Sequence, residues 1–122
     1  MATLLKVEIN GLPPTVNHLY RSTRGGQRYK TKLVREYQKY VTELLKTEWQ
    51  GKLSCTSPVE LKIIFTTATR RKWDIDNRVK ALQDCLSKAG VIKDDTQIDI
   101  LHVERVYGQE DTTRLTLNER VQ

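Results

Sequence analysis

Two stretches whose apolar residues recur every three or four positions are set between stretches whose apolar residues recur every second position. That change of period restricts the chain to a small mixed domain of helices and strands. Leu5, Val7 and Ile9 alternate with Lys6 and Glu8, the pattern of a half-buried strand, and Asn10 and Gly11 close it. From Leu12 to Arg28, Pro13, Pro14, Asn17, Gly25 and Gly26 lie among basic and polar residues, which predicts a long ordered or semi-ordered loop. Thr31 is placed to cap a helix running to about Gln50, with Val34, Tyr37, Val41, Leu44, Leu45 and Glu48 on one face and Gly51 as its stop. Val59, Leu61, Ile63 and Phe65 give a second strand, so a long helix joins the first two strands. Such a crossover fits a parallel pair or two strands separated by another. A second helix is expected from about Asp76 to Ala89, its stripe being Val79, Leu82, Leu86 and Ala89 and its stop Gly90. A third strand follows from Ile98 to about Tyr107, turned by Gly108 to Asp111 into a fourth, Thr112 to Leu117. The expected order is β-α-β-α-β-β, an α/β (α+β) fold in which two helices cover a mixed four-stranded sheet, with residues 1–122 forming one domain.

A chain of 122 residues is long enough for one buried core. Its apolar runs are only a few residues long, far short of the roughly 20 that span a bilayer, and the alternating start lacks the basic head and long apolar middle of a secretory signal, so a cytoplasmic location is expected. Cys55 and Cys85 are too few and too distant for a disulfide framework and read as ordinary thiols. The formal charge of +6 is unevenly distributed: residues 1–92 carry 17 Lys and Arg against 8 Asp and Glu, whereas residues 93–122 carry 4 against 7. Arg21, Arg24, Arg28, Lys30, Lys32, Arg35 and Lys39 concentrate the surplus, and a polyanion is the partner that such a cluster suits. A solvated basic face is the plainer reading. Gly25 and Gly26, flanked by Arg24 and Arg28, suit an arm that touches phosphates.

The chemistry is concentrated in D-I-D-N, Asp74 to Asn77, where two carboxylates meet at the entrance to a helix. Lys80 lies one turn beyond Asp76 on the same face, and the helix leads on to Asp94 and Asp95, so that three acids are expected to converge. Each pair of like charges about 4 Å apart would repel by roughly 4 kcal/mol at an effective dielectric near 20, and a divalent ion would relieve this. Carboxylates without His or Cys neighbours suit Mg2+ or Mn2+ rather than zinc. With Arg70, Arg71, Lys72 and Arg78 alongside, such an ion would meet a phosphodiester, and the reaction class is metal-assisted hydrolysis. Taken singly, these residues have plainer readings: Asp76 as a helix cap, Lys80 as the partner of Asp76 or Asp84, and Asp94 and Asp95 as turn residues.

The run W-D-I-D-N-R-V-K-A-L-Q-D-C-L-S-K-A-G-V-I-K-D-D-T-Q-I resembles the core of the RusA family of Holliday junction resolvases, in its D-x-D-N-x-x-K pattern, its helix ending in A-G and its D-D pair before a strand. Leu12 to Arg21 is similar to that family's P-P-x-x-N-x-x-Y-R opening, which adds Asn17, Tyr20 and Arg21 to the candidate DNA contacts. The resemblance implies a homodimeric, Mg2+-dependent endonuclease that cuts four-way DNA junctions by paired symmetric nicks. Its metal-binding aspartates would be Asp74, Asp76 and Asp95 and its essential lysine Lys80. It implies no small-molecule cofactor and no membrane, and places the protein in a bacterial or phage-infected cell, in recombination, repair or phage DNA processing. Members often have a basic residue directly before the first Asp, where this chain has Trp73. Either Arg70 and Arg71 take over that contact or Trp73 stacks on an unpaired base, with a core or dimer-interface role for Trp73 as the alternative. The rival readings are a nuclease of branched viral genomes on the same fold and a DNA-binding module with an inactive site.

Overall fold

Alternating burial along three of the long strands and three-to-four spacing along the helices turn one apolar face of each of these elements toward a shared core. The computed structural model describes residues 2–14, 20–22, 28–30 and 32–120. The elements are β1 (Thr3–Asn10), β2 (Tyr20–Ser22), β3 (Arg28–Lys30), α1 (Lys32–Trp49), β4 (Val59–Thr67), a 3-10 turn (Ile75–Arg78), α2 (Val79–Lys88), a second 3-10 turn (Asp95–Gln97), β5 (Ile98–Tyr107) and β6 (Thr112–Glu119). Four strands form the main sheet in the order β1-β6-β4-β5. β6 runs antiparallel to both β1 and β4, and β5 lies parallel to β4 at the edge. Of the two arrangements open to the first crossover, the structure takes the second, with β6 between β1 and β4.

The core joins Leu5, Val7 and Ile9 of β1, Leu61, Ile63 and Phe65 of β4, and Leu115 and Leu117 of β6 to Val41, Leu45 and Trp49 of α1 and Leu82, Cys85 and Leu86 of α2. The alternate residues Lys6, Glu8, Lys62 and Arg114 are exposed, so the sheet is covered on one face and solvated on the other. Val34, Val41 and Leu45 are buried on α1 as their spacing predicts. The stripe also takes in Gln38, whose Oε1 accepts a hydrogen bond from the Lys88 ammonium at 3.1 Å.

Three expectations change. Gly108 to Asp111 is not a hairpin turn, because β5 and β6 lie on opposite sides of β4. The connection passes the end of β4, where Gly108 N–H donates to the Thr67 carbonyl at 3.0 Å and the Asp111 carboxylate accepts from Ala68 N–H at 2.8 Å. The segment read as a loop from Leu12 to Arg28 contains part of a short ladder, Tyr20–Ser22 against Arg28–Lys30, with runs too short for periodicity to show. The second helix begins as a 3-10 turn rather than at Asp76 as α-helix. Thr31, the expected cap of α1, lies outside the described residues.

α2 stops where Gly90 takes φ +77°, with Gly90 N–H donating to the Ser87 carbonyl and Val91 N–H to the Leu86 carbonyl, each at 3.1 Å. A side chain in this left-handed conformation is strained, so Gly90→Ala is expected to cost roughly 1–2 kcal/mol in urea unfolding.

Candidate active site

The connector after β4 is held by aromatic and cationic side chains. Trp73 packs against the core with its ring edge-on to Phe65, the centroids 5.7 Å apart. The Arg78 guanidinium lies 4.6 Å from the Trp73 ring centre and that of Arg105 5.1 Å from it, while Arg105 also donates to the Trp73 carbonyl at 2.6 Å. Arg70 lies over Tyr107 at 4.8 Å. Arg78 further donates to the Pro13 carbonyl, which ties the P-P opening to the start of α2, and burial lowers its guanidinium pKa from the ordinary value. The indole N–H of Trp73 is buried with no hydrogen-bond partner among the described residues. Trp73 is thus a packed anchor for the connector, while Arg70, Arg71 and Lys72 stand exposed around it.

Asp74 and Asp76 follow at the end of this connector, and both are exposed. Asp74 has extended backbone at the head of the 3-10 turn, makes no side-chain cap bond, and among the described residues receives a 3.5 Å contact from the Asn77 amide. Asp76 lies within the turn, its backbone carbonyl accepting from Val79 N–H. The cap reading of Asp76 therefore does not hold.

Lys80, Asp84 and Ser87 share one face of α2 at four- and three-residue steps, and that face meets Asp95. The Lys80 ammonium is 3.3 Å from Asp84 and 3.6 Å from Asp95, and Ser87 Oγ donates to Asp95 Oδ1 at 2.8 Å. The neighbouring acid behaves differently. Asp94 caps the second 3-10 turn in a reciprocal box with Gln97 and accepts from Thr96 Oγ1 at 2.8 Å, so it is a structural residue. Asp84, Ser87, Arg105 and Tyr107 were not singled out from sequence as site residues. The positions of Asp84 and Ser87, four and seven residues beyond Lys80, were the available signal for two of them.

The structure brings Lys80 to Asp95 but does not gather the three acids. Asp74 and Asp76 stand at the β4 C-terminal end, where α2 begins, whereas Asp95 is bonded to Ser87 near the end of α2. Helix and 3-10 rise put Ser87 roughly 15–18 Å along the axis from Asp76. Among the described residues no three His, Cys, Asp or Glu side chains lie close enough to hold one metal ion. The oxygen donors are of the type a hard dication prefers. The three-acid cluster expected within a chain is not seen among the described residues: α2 links the end of β4 to the start of its parallel neighbour β5, and Asp95 precedes that start. Of the proposed DNA contacts, Asn17 and Arg24 lie outside the described residues. Tyr20, Arg21, Arg28 and Lys30 fall on the β2–β3 ladder, where the backbone alone is described.

Exposed cationic side chains beside exposed carboxylates are what a protein acting on a phosphodiester backbone presents. The chain matches the family model described as Endodeoxyribonuclease RusA over residues 10–118, and it belongs to that family of enzymes. It is similar to the crossover junction endodeoxyribonuclease RusA of Aquifex aeolicus, with 30% identity over 98 residues that cover 80% of this chain and 77% of the relative. It is likewise similar to the crossover junction endodeoxyribonuclease of phage HK97, with 32% identity covering 76% of each chain. To that of Shigella sonnei it is 36% identical, over 70% of each.

Proposed function

We propose that the protein resolves four-way DNA junctions, acting as a homodimer that makes paired, symmetric phosphodiester cuts in the presence of Mg2+ or Mn2+. The observation that carries this reading is family membership across nearly the whole chain, joined to relatives that bear the name of crossover junction endonucleases. Hydrolysis adds water to phosphorus, breaks one bridging P–O bond and leaves a proton on the departing oxygen. Lys80 supplies positive charge for that oxygen, and Asp74, Asp76 and Asp95 are the proposed cation ligands. A two-fold enzyme suits a two-fold substrate, since symmetric cleavage needs two sites. Such an enzyme works in the cytoplasm of a bacterial or phage-infected cell; among the described residues no helix is long and apolar enough to cross a membrane.

The test is nicking of a synthetic four-way junction labelled on opposite strands. Mg2+-dependent cuts at symmetric positions support the proposal, and junction binding without cutting overturns it in favour of an inactive binding module. That second reading draws on the acids' failure to meet within one chain. Affinity should fall with salt by about 0.9 log units per phosphate contact for each log unit of salt. Arg71→Ala, which removes an exposed connector cation, is expected to flatten that slope by about one contact in fluorescence anisotropy titrations.

A further inference from the structure

Gln97 fixes the turn that carries Asp95 without using the Asp95 carboxylate. Its side-chain oxygen accepts from Lys93 N–H at 2.8 Å and from Asp94 N–H at 3.0 Å, and its amide nitrogen donates to the Cys55 and Ser57 carbonyls at 2.8 and 3.0 Å. Asp94 closes the capping box from the other side. The two oxygens of Asp95 have different partners: Oδ1 accepts from Ser87 Oγ at 2.8 Å, and Oδ2 lies 3.6 Å from the Lys80 ammonium. An ionised carboxylate only accepts, so the hydroxyl proton of Ser87 is committed to Oδ1. We propose that Ser87 is a positioning residue of the nuclease site, whose hydroxyl holds Asp95 in the orientation that leaves Oδ2 to take the proposed cation.

The two contacts to Asp95 differ in what they can fix. The Lys80 side chain is half exposed, its ammonium is shared with Asp84 at the shorter distance of 3.3 Å, and at 3.6 Å from Oδ2 it forms an ion pair without a directed hydrogen bond. A pair of this kind does not select one carboxylate orientation. Ser87 has a single torsion before its hydroxyl oxygen, and its backbone is held in the last turn of α2, where Gly90 N–H donates to its carbonyl at 3.1 Å. Both ends of the bond are therefore set by backbone, α2 on one side and the 3-10 turn on the other. A hydroxyl so placed orders the carboxylate before a cation arrives, and that cost is no longer met on binding. The plainer reading of the bond is a clasp between α2 and the segment leading into β5. Gln97 already anchors that segment through four hydrogen bonds, whereas the Ser87 bond is directed at a side chain the turn does not use.

This inference rests on Asp95 being a cation ligand, and the experiment separates the two claims. Mn2+ is titrated without DNA into the wild-type, Ser87→Ala, Ser87→Thr and Asp95→Asn proteins, and free Mn2+ is read by electron paramagnetic resonance. Ser87→Ala is expected to bind Mn2+ about tenfold more weakly, while Ser87→Thr, which keeps the hydroxyl, stays within about twofold of wild type. The Tm of Ser87→Ala should fall by no more than about 5 °C, since a single hydrogen bond is lost. In junction nicking, Ser87→Ala should need about tenfold more Mn2+ to reach half of its maximal rate and should regain most of the wild-type rate at saturating metal. A Ser87→Ala protein that binds Mn2+ as wild type does, while Asp95→Asn does not, overturns the inference and leaves the ligand reading standing. An Asp95→Asn protein that binds Mn2+ as wild type does overturns the ligand reading, and the positioning role with it. Weakened binding that Ser87→Thr fails to restore makes Ser87 a packing residue and also overturns the inference.

Discussion

Asp76→Asn is expected to lower junction cutting about a hundredfold or more while junction affinity and thermal stability stay close to wild type. The side chain is exposed, caps no helix and carries no hydrogen bond among the described residues, so the fold has little to lose from its charge. What the substitution removes is one anionic oxygen from the proposed cation site, at unchanged side-chain shape. Asp94→Asn is the informative contrast, since Asp94 holds the second 3-10 turn through Thr96 and Gln97. That change should cost up to about 1 kcal/mol of stability with cutting largely kept. Equal loss of cutting in the two variants, followed by gel analysis of nicked junction, would show that the acids act through the fold and not as ligands.

The largest effect on stability is expected at Phe65, whose truncation to Ala should cost about 3–5 kcal/mol. Its side chain is fully buried on β4, the strand flanked by β5 and β6, and it is the surface against which Trp73 packs edge-on. At this chain length such a loss lowers Tm by roughly 10–25 °C, measurable by circular dichroism. Because Trp73 in turn supports Arg78 and Arg105, the cavity should also loosen the connector that presents Arg70 to Asp76. Phe65→Leu, which keeps most of the volume, should lose much less. A Phe65→Ala protein within 1 kcal/mol of wild type would mean that the connector collapses into the gap.

Sequence alone determined the elements and the faces they bury. Leu61, Ile63 and Phe65 alternate, and Val41 and Leu45 fall on one helical face, because period reports which side of an element is apolar. It also determined the acid and lysine pattern through which the family was recognised, since motif spacing is local information. Tertiary structure alone decided which element lies next to which. The insertion of β6 between β1 and β4, which made Gly108 to Asp111 a crossing instead of a hairpin, depends on pairings between residues far apart in the chain that no local period encodes. The same applies to Asp95. Its spacing from Asp76 was legible, but only the fold shows that Asp95 is held by Ser87 and Lys80 of α2 and forms no three-acid cluster with Asp74 and Asp76 among the described residues.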